Sequence, residues 1–184
     1  MARKMKISFT LHEADTAYFE KIYRAAKRNA NAEDWPKISR GVRKLIREVR
    51  ETKKVPSFVS DAITSLEDLM QMVNDMQYKA PKSVISRAVA ALAYFDNPRD
   101  VIPDDVPLVG FLDDAIMIKF VESDLEHELW AYRKFKAFRE GSEQRFWTDT
   151  AKARLAPRLE AKRKELRGKI EEREAKAKAR AARA

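Results

Sequence analysis

Cysteine is absent from the chain, and glycine occurs only four times in 184 residues. The first absence excludes disulfides, thiolate metal sites and cysteine nucleophiles. The second goes with the lack of any glycine-rich phosphate loop or nucleophile elbow, and it argues against nucleotide hydrolases and dinucleotide enzymes. Histidine is scarce too, with only two in the chain, His12 and His127. A metalloprotease helix needs two histidines four residues apart, and the position that would partner His127 is Ala131. His127 is therefore read as a surface or edge residue. No stretch approaches the ~18–20 apolar residues of a membrane span. The opening MARKMKISF lacks the apolar run of a signal peptide, so a cytoplasmic protein is expected.

What the chain has in quantity is charge, unevenly placed. Residues 1–54 carry a net +8, residues 55–130 a net −9, residues 131–140 a net +3 and residues 141–184 a net +7. An acidic centre is flanked by basic ends. Such a chain either folds its basic arms onto its own core or offers them to an anionic partner.

Most of the sequence reads as helix. Lys6 to Leu11 alternates, with Ile7, Phe9 and Leu11 against Lys6, Ser8 and Thr10, and predicts one short extended strand. Pairing of that strand with its copy would give a homodimer. Thr10 and Glu13 have capping-box spacing, so a helix is expected from Leu11 or His12, with Ala14, Tyr18, Phe19, Ile22, Tyr23 and Ala26 inward. Ser39 is read as the cap of a second helix. Val42, Leu45, Ile46 and Val49 face inward there, while Arg40, Arg43, Lys44, Arg47, Arg50 and Lys54 face out. A third helix begins at Pro56-Ser57, with an apolar stripe from Phe58 through Leu66 to Met76 in which the methionines fill gaps. Lys79-Ala80-Pro81 turns the chain into a fourth helix, with Val84, Ile85, Ala88, Val89, Leu92 and Phe95 inward.

Asn97-Pro98 stops that helix, because proline lacks an N–H and pushes its predecessor out of the α region. Pro103 and Pro107 keep the following loop irregular, and Gly110 is the residue there able to take a positive φ cheaply. Asp100, Asp104 and Asp105 lie among apolar loop residues, and Asp113 and Asp114 open the next helix. One long helix is expected from Leu112 to Arg139, with Gly141-Ser142 closing the compact part. Beyond Thr150 the composition turns to Ala, Arg, Lys and Glu. Leu155, Leu159, Leu166 and Ile170 form an apolar line too thin for a globular core. A projecting basic helix is expected there, supported by the pairs Glu160–Lys164 and Glu165–Lys169, with a disordered end.

The run Tyr94-Phe95, Pro98, Asp100, Ile102-Pro103-Asp104, Pro107, Gly110 and Asp113-Asp114 resembles the signature of the YkvA-like family, a bacterial domain of unknown function. The match is dense over roughly residues 84–120. Asn97 departs from it, since many members carry a small residue such as serine there. The resemblance implies a small helical domain and no established activity.

The expected architecture is all-α: a compact bundle of about five helices with a proline-rich loop, one short N-terminal strand and a projecting basic C-terminal helix. Residues 1–140 form the domain and 141–184 a basic extension. The leading functional expectation is a non-enzymatic binding or adaptor protein whose basic ends contact nucleic acid, a nucleoprotein or an acidic protein surface. Arg43, Lys44 and Arg47 on the second helix, with Lys162, Arg163, Lys164, Arg167 and Lys169 in the tail, are its candidate anion contacts. No cofactor is required by this reading. The alternative is a Mg²⁺-dependent enzyme in which Asp100, Asp104, Asp113 and Asp114 supply hard oxygen ligands. Against it, aspartates in proline-rich turns commonly tie down backbone or complement a helix N-terminus. A third expectation is a structural homodimer.

Overall fold

The computed structural model describes residues 10–96, 110–143 and 154–183. Seven α-helices occur among them: α1 Glu13–Asn29, α2 Trp35–Glu51, α3 Ser57–Asn74, α4 Lys82–Leu92, α5 Leu112–Asp124, α6 Glu126–Glu143 and α7 Leu155–Ala181. Two 3₁₀ turns, Ala32–Asp34 and Ala93–Asp96, precede α2 and follow α4. The bundle is all-helical, with no strand among the described residues. The expected strand at 6–11 falls mostly outside those residues, as does the proline loop from Asn97 to Val109.

Helix α3 is the central element, touching α2, α4, α5 and α6. Its Ala62, Leu66, Leu69 and Met72 are wholly buried. Burying a leucine of this kind is worth roughly 2–5 kcal/mol against alanine, since truncation leaves a cavity as well as removing apolar packing. Both α3 and α4 begin directly after a proline, Pro56 and Pro81, each in extended backbone. Their carbonyls accept the first helical N–H groups, from Val59 and Ser60 at 3.1 Å and from Val84 and Ile85 at 2.9 Å. Proline suits these entries because its fixed φ precedes the helix without leaving a donor stranded.

Of the expected inward stripe of the fourth helix, Val84, Ala88, Val89 and Leu92 are buried on α4 and Ile85 is half-buried, while Phe95 is buried on the 3₁₀ turn that follows. Between α1 and the start of α6 the structure departs from the expected pattern in five places. Helix α1 is capped two residues later than expected: the His12 N–H donates to Asp15 at 3.2 Å, and of the helix's inward stripe only Tyr23 is fully buried. Ser39 does not cap α2 but lies inside it, donating to the Pro36 carbonyl, because Pro36 takes the first turn. Met76 lies outside α3 and is 84% exposed, because the helix stops at Asn74. No described glycine has positive φ, and the left-handed position falls instead on Lys79, at φ 52°.

The fifth correction is the long helix, which breaks at Leu125. Its φ of −118° and ψ of 18° leave the α region. The bonds on either side survive, with Leu125 N–H to Val121 O at 3.1 Å and Leu129 N–H to Leu125 O at 2.8 Å. The apolar phase hides this break, because Val121, Leu125, Leu129 and Tyr132 are all buried. The bend lets α5 serve α1, α3 and α4 while α6 serves α3 and α7. Helix α6 then runs through Gly141 and Ser142 to Glu143.

The basic C-terminal helix forms, and part of it is docked. Leu159, Leu166 and Ile170 are buried in the common core. Arg158 and Lys162 lie over Phe138, whereas Arg173 lies over Trp130. Rising numbers on α7 meet falling numbers on α6, so the two helices are antiparallel. From Ala175 onward every described residue is exposed, and this end is what projects.

Candidate functional site

The two candidate sites differ in how much of each the structure describes. Asp100 and Asp104 lie outside the described residues. Asp113 and Asp114 stand in the first turn of α5, 2% and 4% exposed. Each is engaged by a hydrogen-bonding, ionic or electrostatic partner within the fold. A carboxylate in a first helical turn is stabilised by the helix dipole, which gives both a structural role. Among the described residues no three His, Asp or Glu side chains are grouped so as to hold a metal ion. His127 stays apart from these aspartates, between Glu126 at 3.1 Å and the Arg173 Nε that donates to its Nδ1 at 3.5 Å.

The basic residues are organised by the acidic centre of the chain. Lys27 pairs with Asp124, which also accepts from the Tyr23 hydroxyl at 2.8 Å. Arg50 grips Glu67 through two bonds of 3.2 and 2.8 Å. Arg133 and Lys136 share Asp68 at 2.8 and 3.2 Å. Arg139 reaches Asp75 at 2.7 Å, and Arg167 reaches Glu128 at 2.7 Å. In every case the cation comes from a basic end and the carboxylate from residues 55–130.

Asp75 is the most heavily used of these carboxylates. One of its oxygens accepts the Gln77 and Tyr78 N–H groups at 2.8 and 2.9 Å. The other accepts from Arg139 and, at 3.2 Å, from the Tyr132 hydroxyl. Burial alone would raise its pKa, but the Tyr78 N–H, Arg139 and the Gln77 N–H together hold it below the ordinary carboxylate value. The turn between α3 and α4 is thus locked by one side chain. Sequence reasoning passed over Asp75. Its only local signal was an aspartate directly after a helix and immediately before the turn Met76–Tyr78.

The eight candidate anion contacts separate accordingly. On α2, Arg43 folds back onto Ser39, donating to its carbonyl at 3.0 Å and its hydroxyl at 2.8 Å. Lys44 stands 3.6 Å from Glu48 and is largely exposed. Arg47 is exposed and has no ion-pair partner among the described residues, and neither has Arg40 beside it. In the tail, Lys162 bonds Glu165 at 2.9 Å and covers Phe138. Lys164 is 3.5 Å from Glu160, and Lys169 pairs with Glu165. Arg167 is committed to Glu128. Arg163 is half-buried, with its Nε shielded from solvent.

Of the three α2 candidates, Arg47 alone keeps an exposed charge with no partner among the described residues. Exposed cations without a carboxylate partner among the described residues include Arg40 and Arg47 on α2, Lys53 and Lys54 after it, and Lys176, Lys178, Arg180 and Arg183 at and just beyond the end of α7. No acidic residue follows Glu174.

No helix among the described residues is long and apolar enough to cross a membrane. No curated protein and no solved structure matches the chain. Residues 84–120, from α4 through the proline loop into α5, match the family model described as a protein of unknown function (DUF1232), with which the YkvA-like name is consistent.

Proposed function

We propose that the protein is a non-enzymatic cytoplasmic binding protein whose exposed basic surfaces contact an anionic macromolecule, nucleic acid foremost. The observation carrying this reading is what remains after the internal pairs are made. The acidic centre neutralises the cations that lie against it. Arg40 and Arg47 on the outer face of α2, and the lysines and arginines at the end of α7, are exposed without carboxylate partners among the described residues.

Contacts of this kind are made to phosphates, so the binding is salt-sensitive and weakly sequence-specific. The tail carries no aromatic residue beyond Trp147, which leaves no base-stacking platform there. The test is fluorescence anisotropy with mixed-sequence duplex DNA and single-stranded RNA. Full-length protein is compared with an Arg40→Glu, Lys44→Glu, Arg47→Glu triple variant. Salt-sensitive binding weakened in the variant is expected. Absence of binding at low salt by the full-length protein overturns the reading and leaves an acidic protein surface as the partner to seek.

A further inference from the structure

Helix α7 loses its hold on the domain toward its end. Ile170 is its last buried residue; after it Glu174 is half-buried and the other described residues are exposed. Among the described residues, one side chain beyond Ile170 is tied to the rest of the domain by a hydrogen bond or ring contact, that of Arg173. Its guanidinium lies 4.6 Å from the Trp130 ring centroid, and its Nε donates to His127 Nδ1 over 3.5 Å. Both partners stand on α6, one turn apart.

The same His127 nitrogen has a second neighbour, Glu126 Oε1 at 3.1 Å. The two make opposite demands on one atom. Arg173 is a donor and needs a lone pair on Nδ1, which the ring offers as its Nε2–H tautomer. Glu126 is an acceptor and needs a proton there. In the protonated ring both nitrogens are donors. The bond from Arg173 is then lost, the bond to Glu126 forms, and two positive charges face each other. The His127 side chain is 15% exposed, so solvent protons reach it.

The carboxylates near His127 in the chain are engaged elsewhere: Glu128 with Arg167, Asp124 with Lys27, and Glu122 with Lys119. From α7, the charged groups at this place are Arg173 and the half-buried Glu174 beside it. Imidazole is the side chain whose ordinary titration falls between about pH 5 and 8. The hold it shares is thin, because an exposed cation over an aromatic ring is a weak contact. A helix end without buried apolar side chains opens readily.

We propose that His127 is a pH-sensitive latch for the end of α7. The neutral ring holds Arg173, and with it the segment from Glu171 to Ala181. The protonated ring turns to Glu126, repels Arg173 and frees that segment. Leu159, Leu166, Ile170 and the Arg167–Glu128 pair keep the rest of α7 docked. Lys176, Lys178 and Arg180 lie on the freed segment, so acidification changes how far these cations reach from the domain. The latch is built from contacts within the chain and stands apart from binding of any anionic partner.

The experiment follows the full-length ¹⁵N-labelled protein by NMR from pH 5 to 8, with no nucleic acid present. It reads the His127 ring, the Trp130 indole and the amide protection factors of residues 171–181. The ring and indole signals are expected to shift with one midpoint. Protection of residues 171–181 is expected to fall about three- to fivefold on the acid side, the effect of two like charges about 4 Å apart in water. Protection of residues 158–170 should not change. In His127→Gln, whose amide oxygen accepts from Arg173 at every pH, the Trp130 shift and the loss of protection should vanish. Glu126→Gln removes the acceptor of the protonated form and should move the midpoint to lower pH. A Trp130 transition that persists in His127→Gln overturns the proposal, and its loss in Glu174→Gln would assign it to that carboxylate. A His127 titration that leaves Trp130 and residues 171–181 unmoved overturns it equally.

Discussion

Arg167 on α7 donates from Nη1 to the Glu128 carboxylate on α6 over 2.7 Å, joining residues 39 positions apart. The carboxylate is nearly buried, with its side chain 5% exposed, while the arginine keeps 27% of its side chain in water. Of the two groups, Glu128 depends more on the contact. Loss of Arg167 strands a charge inside the protein, whereas loss of Glu128 leaves a partly solvated guanidinium. Arg167→Met should therefore destabilise the fold more than Glu128→Gln. The expected cost is about 2–3 kcal/mol, below the ~3–5 kcal/mol for breaking a fully buried pair because the arginine is partly hydrated. Urea unfolding of both variants and the double variant checks the order. The double variant should lie well short of the sum.

Asp75 makes stability depend on pH on the acid side. Its folded pKa lies below the ordinary value because the Tyr78 and Gln77 N–H groups and Arg139 outweigh burial. A depressed carboxylate contributes stability that is fully present above its unfolded pKa, near 3.9, and is lost as pH falls through the folded pKa. Asp75→Asn should flatten that part of the profile. At neutral pH it should cost about 2 kcal/mol, the worth of hydrogen bonds to a charged group. Thermal unfolding between pH 2 and 7 checks both. An unchanged slope below pH 4 would assign the acid sensitivity to other carboxylates.

Gly141 lies in the last turn of α6, and a Cβ built there meets nothing within 4 Å. Gly141→Ala should stabilise the protein by about 0.5–1 kcal/mol by lowering the entropy of the unfolded chain. The denaturation midpoint should rise with an unchanged slope.

The unpaired cations of α2 separate binding from folding. Arg40 and Arg47 are exposed and unpaired among the described residues, so reversing both should change stability by no more than about 0.5 kcal/mol. Binding to anionic partners should still weaken. Reversal of Arg50, which grips Glu67, should instead lower stability. Melting curves beside binding curves distinguish the two faces.

Much of this architecture was legible from residue spacing, and the exceptions have physical causes. Helices α2, α3 and α4 follow from strong apolar periodicity bounded by prolines. The break at Leu125 was not legible, because a buried leucine continues the apolar phase across a change of helix direction. The docking of α7 was hidden by its composition. Leu159, Leu166 and Ile170 are too few to announce a core, and the remaining contact comes from arginine and lysine stems lying over Phe138, Trp130 and Tyr78. Long cationic side chains cover apolar surface while keeping their charge at its edge. Charge segregation was plain in the sequence, but which cations turn inward depends on long-range pairs such as Arg167–Glu128 and Arg50–Glu67. Of the expected Mg²⁺ cluster, Asp113 and Asp114 are described and Asp100 and Asp104 are not.

Removal of all of α7 would expose the core that Leu159, Leu166 and Ile170 cover, so the informative truncation falls after Glu174. The most direct measurement is the salt dependence of nucleic-acid binding by the full-length protein beside a chain ending at Glu174. The last ten residues carry four cations and no carboxylate side chain. On duplex DNA the slope of log affinity against log salt should be shallower in the shorter chain by about 2–4, since each phosphate left without its cation removes close to one unit. Its fold should be unchanged. Equal slopes and affinities would remove the tail from binding, and absence of binding by either chain at low salt would contradict the proposed function itself.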